Sequence, residues 1–120
     1  MANRQKIGRW GDQRAAEFLA GKGYHLIAKN ARTSFGELDL FFQGDGQIIF
    51  VEVKTRTSLA FGLPEEAVDQ RKSEHNLKAA DAYLQEYPEL DDHWRVDVVA
   101  IVGSPEGAEP EIEWFQDAIS

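Results

Sequence analysis

A length of 120 residues and a mass of 13.5 kDa suit one domain, and a chain this size buries roughly 65% of its unfolded surface, enough for a core without staples. Hydrophobic residues make up 42% and charged residues 28% of the chain, which excludes whole-chain disorder; the lack of Cys excludes disulfides, thiolate metal sites and Cys nucleophiles. The formal net charge of -8 argues against a uniformly basic nucleic-acid binder.

Met1 to Arg9 is basic and no apolar signal segment follows it. No apolar run approaches the ~18 residues of a membrane span, so a cytoplasmic protein is expected. Residues 5–21 read as an amphipathic helix, with Ile7, Trp10, Arg14, Ala15, Phe18 and Leu19 at helical spacing and Gly21 and Gly23 as stops. Gly8 and Gly11 weaken that helix unless a close backbone approach needs them. Tyr24 to Asn30 reads as a short strand, and Glu37 to Gln43 and Gln47 to Lys54 as two more. Gly44-Asp45-Gly46 between them is a hairpin signal. Residues 55–63 are expected to be a loop, and Glu65 to about Tyr87 a second helix that opens after Pro64 and ends at Pro88. Arg95 to Val102 is a continuous apolar strand carrying one acid, Asp97, and Glu111 to Phe115 reads as a short edge strand. The order α-β-β-β-α-β-β describes a single α/β domain over residues 1–120 with a mixed sheet. Its expected core is about 5–102, followed by an acidic segment, 103–120.

The charge is unevenly spread. Residues 1–58 hold nine Lys/Arg and six Asp/Glu, whereas residues 59–120 hold four and fifteen. Binding to a polyanion depends on local potential, so the N-terminal half could meet phosphate. The alternative is a solvated acidic face without a partner, and charge alone favours it.

The informative segments are Gly36-Glu37-Leu38-Asp39-Leu40 and Phe50-Val51-Glu52-Val53-Lys54. Alternation places Glu37, Asp39 and Phe41 on one face, and Phe50, Glu52 and Lys54 on one face of the next strand. A two-residue type I′ turn at Asp45-Gly46 pairs Gly44 with Gln47, and counting back sets Phe41 across from Phe50, Asp39 from Glu52 and Glu37 from Lys54. Slipping this register by one residue would turn carboxylates onto the apolar face. Opposed carboxylates in a half-buried sheet need a shared proton or a divalent cation. All-oxygen ligation suits Mg²⁺ or Mn²⁺, and His25, His75 and His93 lie outside the patch. Neighbouring carboxylates favour charged Lys54, which suits it to orient water or stabilise an oxyanion. The structural alternative is a Glu37–Lys54 salt bridge with Asp39 as a cap.

These runs, continued through Thr55-Arg56, resemble the YraN-type family of small bacterial proteins. That family is similar to the PD-(D/E)XK nuclease superfamily, close to Holliday-junction resolvases and restriction endonucleases. Gly8 to Leu19 with Glu17, Asn30 with Arg32, Phe61-Gly62, Lys72, and Arg95 with Asp97 extend the resemblance to about Val102. It implies a restriction-endonuclease-like fold and hydrolysis of DNA phosphodiesters with Mg²⁺ or Mn²⁺. Asp39, Glu52 and the Val53 carbonyl would hold the ion, Lys54 would be the catalytic lysine, and Glu17 would point at the metal from the first helix. Arg32 and Arg56 would contact DNA phosphates; Lys72 would either reach a phosphate or remain a solvated helix lysine. Two departures from the family pattern are Leu38-Asp39 in place of Pro-Asp, and Val96 where an aromatic is frequent. The acidic C-terminal half suits a weak, structure-selective or partner-assisted enzyme acting on branched or single-stranded DNA. The other readings are a non-catalytic module that binds nucleic acid or a repair protein, and a plain structural domain. The two symmetric scissile sites of a junction would suit a homodimer. Trp94, Trp114 and Phe115 are then either its surface or ordinary core.

Overall fold

A computed structural model describes residues 4–44, 46–58, 70–86 and 93–119, with the side chains of 70–73 outside the description. Along the chain run α1 (Arg4–Gly21), β1 (His25–Thr33), β2 (Gly36–Gly44), β3 (Gln47–Arg56), α2 (Gln70–Glu86), β4 (Trp94–Val102) and β5 (Glu111–Ile119). All five strands join one sheet in sequence order; β3 and β4 are parallel and the other neighbours antiparallel. This is the expected α-β-β-β-α-β-β mixed-sheet domain. No helix among the described residues is long and apolar enough to cross a membrane.

The helices cover opposite faces of the sheet. Ala15, Ala16 and Leu19 of α1 pack on Leu40, Phe42, Ile49, Val51, Val53, Val99 and Ile101. Ala79, Ala80 and Leu84 of α2 pack on Leu38, Phe41, Ile48, Phe50, Val96 and Val98. Phe41 and Phe50 meet at 4.9 Å between ring centroids, with Tyr83 of α2 5.1 Å from Phe41. The continuous apolar runs of β3 and β4 follow from burial on both faces.

The hairpin register is the one expected from the sequence: Gly44 pairs with Gln47, Gln43 with Ile48 and Phe41 with Phe50. Gly46 has φ +70°, the left-handed conformation that a type I′ turn requires; Asp45 lies outside the described residues. The Pro64 start and Pro88 end expected of the second helix, and Phe61-Gly62, also lie outside them.

Three strand ends differ from expectation. β3 runs to Arg56 rather than Lys54, because Thr55 and Arg56 stay paired with Ile101 and Val102 of β4, so the expected 55–63 loop begins later. β1 runs to Thr33 rather than Asn30, because it stays paired with β2 as far as Thr33–Gly36. β5 runs to Ile119 rather than Phe115. Ile119 is buried and belongs to the α2-side cluster, so the acidic tail segment is a working strand of the sheet. Trp94 stacks edge-on against Phe50, Trp114 lies against Phe18 and Tyr24, and Phe115 packs on the α2-side cluster. All three are half-buried and pack against the core clusters.

Gly11 accounts for part of the glycine content of α1. A Cβ there would sit 2.0 Å from Thr55 Oγ1 on β3, so only Gly lets the helix approach the sheet this closely. Gly11→Ala is expected to destabilise the protein by about 1–3 kcal/mol through overpacking. Urea unfolding would measure it, and Thr55→Ala in the same chain should recover part of the loss.

Candidate active site

The site forms where two strands part. The β2–β3 ladder ends at Leu40–Val51, whereas β3 stays paired with β4 as far as Arg56–Val102. Beyond Leu40 the backbone of β2 no longer serves β3. The Asp39 carboxylate takes over as acceptor: the Val53 N–H donates to Asp39 Oδ2 at 2.8 Å. Strict alternation also breaks here. Leu38 and Phe41, three residues apart, pack in the same α2-side cluster, and Asn30 of the neighbouring β1 has φ +53°. Glu37, Asp39 and Phe41 therefore do not share one face as the period-2 pattern predicts.

The fork opens into a cavity of about 690 Å³ lined by Arg4, Ile7, Gly8 and Asp12 of α1, by Asp39, and by Val53 to Thr57 along β3 and just beyond it. Gly8 lies one helical turn before Asp12, and a side chain there would meet only open space. Arg4, Lys54 and Arg56 put cationic groups around the cavity. The Arg56 guanidinium donates to the Thr55 carbonyl at 3.2 Å.

Asp39 and Glu52 come together as expected, although the ladder stops one pair short of them. Burial, then the charge of Glu52, push the Asp39 carboxyl up to about 7; the Val53 N–H opposes this, Asp12 adds to it, and Lys54 opposes it. The expected Glu37–Lys54 pair does not form. Lys54 Nζ instead bonds Glu52 Oε1 at 2.9 Å, with both side chains about 15% exposed (15% and 14%). Glu37 pairs with Arg32 at 3.2 Å, its register partner on β1. Where the ladder ends, Glu37 leaves with β1 and β2, while Lys54 stays with β3.

Asp12 is the acid the sequence reading missed. Burial, followed by the charges of Glu52 and Glu37, raises it to about 6, with Lys29 opposing. The expected helix acid, Glu17, is 56% exposed; it pairs with Arg14 at 3.8 Å and does not line the cavity. Five residues separate the two acids, roughly 140° around a helix, so they cannot both face the fork. The available signal was Gly8-Arg9-Trp10-Gly11-Asp12: two glycines on a helix that must lie close to the sheet, with an acid one turn after the first.

The other predicted contacts are dispersed. Arg56 lies at the cavity. Arg32 is 86% exposed on the arm that diverges with β2. Lys72 belongs to α2, but its side chain is outside the described residues.

The donor set is all oxygen: Asp12, Asp39, Glu52 and the Val53 carbonyl. Among the described residues no three Asp, Glu, His or Cys side chains form a ready metal cage. A few hard donors beside an open, cation-flanked cavity fit Mg²⁺ or Mn²⁺ that keeps water and phosphate in its shell. Repulsion among three half-buried acids is what such an ion would relieve. Without metal, the folded chain holds more protons on Asp39 and Asp12 than the unfolded chain does between about pH 4 and 7. These two groups therefore make stability fall as pH rises through that window. Asp39→Asn is expected to raise the metal-free melting temperature at pH 8 by a few degrees and to leave it nearly unchanged at pH 4, while Mg²⁺ should raise only the wild-type value at pH 8. Melting curves at both pH values check this.

Residues 11–101 match the family model described as Uncharacterised protein family UPF0102. A UPF0102 protein of Syntrophomonas wolfei is 46% identical over 98 residues, spanning 82% of this chain and 85% of the relative. One from Dehalococcoides mccartyi is 36% identical over 118 residues, spanning 98% and 95%. A third, from Trichlorobacter lovleyi, is 41% identical over 115 residues, spanning 95% and 90%. The chain belongs to the UPF0102 family, which is the YraN family that its motifs resemble.

Proposed function

We propose that this UPF0102 member is a Mg²⁺- or Mn²⁺-dependent endonuclease that hydrolyses DNA phosphodiester bonds, with branched or single-stranded DNA as substrate. One observation carries the reading. Three mutually repelling carboxylates, Asp12, Asp39 and Glu52, meet Lys54 at a strand fork, beside a cavity flanked by Arg4 and Arg56. A structural domain gains nothing from that arrangement, because half-buried like charges destabilise it. A phosphodiester hydrolase needs such a site: hard oxygens for a divalent ion and cations for phosphate. The fold order and the Glu-X-Lys run on β3 also support a likeness to the PD-(D/E)XK nucleases.

Asp39 and Glu52 would hold the ion, with the Val53 carbonyl as a third donor and Asp12 beside them. The metal, when bound, supplies Lewis-acid polarisation of a phosphoryl oxygen and acidifies a bound water. The chain's own groups do the rest. The Val53 N–H fixes the orientation of the Asp39 carboxylate. Glu52 holds the Lys54 ammonium in place at 2.9 Å, so Lys54 serves as a fixed cation towards a water or the developing oxyanion. Arg4 and Arg56 bind the backbone phosphates on either side of the reacting one. With a charge of -8 on the whole chain, the DNA-binding surface is confined to this end of the molecule.

The test is cleavage of labelled four-way junction, flap, single-strand and linear duplex DNA with Mg²⁺, with Mn²⁺ and with neither. Metal-dependent cutting, strongest on the branched or single-stranded substrates, is expected. No cutting on any substrate, together with no metal uptake by calorimetry, would overturn the reading in favour of a non-catalytic binding module.

A further inference from the structure

Phe35 is the most exposed large apolar side chain among the described residues, at 50%. It sits in the turn between β1 and β2, on the arm that carries Asp39 away from β3. The turn is held in place rather than loose. The Phe35 N–H donates to Thr33 Oγ1 at 3.1 Å, and that hydroxyl donates to the Gly36 carbonyl at 3.0 Å. Gly36 has φ +127°, which a side chain rarely adopts. From α2, His75 Nδ1 comes within 3.5 Å of the Phe35 carbonyl. Backbone atoms are thus braced from two sides while the ring faces solvent.

A phenyl ring left half exposed on a braced turn keeps apolar surface in water that folding does not use. The neighbours indicate what the ring meets. Arg32, 86% exposed, stands near the end of β1 just before that turn and is tied to Glu37. Glu37 in turn acts on Asp12 at the fork. Phe35 and Asp39 are four residues apart, at most about 14 Å of extended chain, which keeps the ring within about two nucleotides of Asp39 along an extended single strand.

We infer that Phe35 is a nucleobase-stacking residue: it receives an unpaired base about two nucleotides from the phosphate bound at Asp39, and Arg32 neutralises the phosphate of that nucleotide. The inference rests on the nuclease reading for its substrate class and deepens it. An aromatic face binds any base but only when the base is unstacked, so this contact selects forks, flaps and single strands over duplex. It also suits a protein with little basic surface, because stacking supplies affinity that phosphate contacts here cannot.

Binding measured apart from cleavage tests it. A forked DNA with unpaired 2-aminopurine beside the branch, and a fully paired duplex of the same sequence, are titrated with protein in Ca²⁺, which shares the charge of Mg²⁺. Wild type is expected to quench the unpaired probe. Phe35→Ala should abolish the quench and weaken fork binding about tenfold, with less than a twofold change for duplex. Phe35→Trp should restore both. Equal weakening on fork and duplex, no weakening at all, or no quench by wild type overturns the inference. The two readings fail separately. Metal-dependent cutting with Phe35→Ala unaltered on the fork leaves the nuclease without the stacking contact; quenching without cutting in any metal leaves the stacking contact without the nuclease.

Discussion

Asp39→Asn is expected to lower metal-dependent cleavage by about a thousandfold while leaving the protein folded. Asn is the same size, and its carbonyl can still accept from the Val53 N–H that Asp39 now holds at 2.8 Å. What disappears is the anionic oxygen that a hard cation needs, and the several kcal/mol of charge stabilisation supplied through that ion correspond to about this factor. Lys54→Ala should lose at least about a hundredfold, as expected for removing one preorganised cation from developing charge. Lys54→Met, which keeps the apolar stem and likewise leaves Glu52 without its ion pair, should lose a similar amount. Asp12→Asn should fall between the wild type and Asp39→Asn. Glu17→Ala should change the rate less than twofold, since that side chain is exposed and tied to Arg14. This pair separates the two helix acids: a large loss at Glu17 with none at Asp12 would contradict the arrangement of α1. Wild-type rates for Asp39→Asn, with folding confirmed by circular dichroism, would remove Asp39 from the chemistry.

The site was legible where local rules govern it. The Asp45-Gly46 signal sets the hairpin register, and the register places Asp39 beside Glu52. Three features lay beyond local rules. The first is where the β2–β3 ladder stops. Nothing in Leu38-Asp39-Leu40 says that backbone pairing ends there, because the end is set by the divergence of β2 from β3, a tertiary property. Glu37 and Lys54, paired by counting, were therefore parted. The second is which acid of α1 faces the fork. Amphipathic spacing defines the buried face, here Gly11, Ala15, Ala16 and Leu19, but a cavity edge lies beside that face rather than on it. Gly11 was informative only together with Thr55, which is 44 residues away. The third is the length of β5. Glu111, Glu113 and Asp117 make the segment read as an acidic tail, yet its pairing is set by what β4 presents to it.

Asp97 shows why that last strand is required, and Asp97→Ala is expected to cost about 3–5 kcal/mol of stability. The sequence marks it as an acid in an apolar strand, and the structure buries it completely, at 0% exposure. It accepts from Arg95 Nε at 3.0 and 3.2 Å, from Trp114 Nε1 at 2.8 Å and from the Asp117 N–H at 2.8 Å. The last bond depends on an irregularity in β5: Asp117 has φ +50°, and the register shifts between Val96 and Val98. Alanine would leave the Arg95 guanidinium, which also donates to Gln47 Oε1 at 2.7 Å and lies over the Trp114 ring, without its counter-charge. It would also leave the half-buried Trp114 indole and Asp117 N–H without their acceptor, a loss within that total. Such a loss is a large share of the ~5–15 kcal/mol that stabilises a typical domain. Urea unfolding should show it as a lower midpoint, and hydrogen exchange should show the amides of β5 opening before those of β3. Arg95→Met in the Asp97→Ala background should restore part of the stability, because it removes the orphaned charge as well as the acceptor. No partner of Asp97 lines the cavity at the fork. Cleavage by the fraction of Asp97→Ala that remains folded should therefore match wild type; a lost rate in that folded fraction would instead make β4–β5 part of the working site.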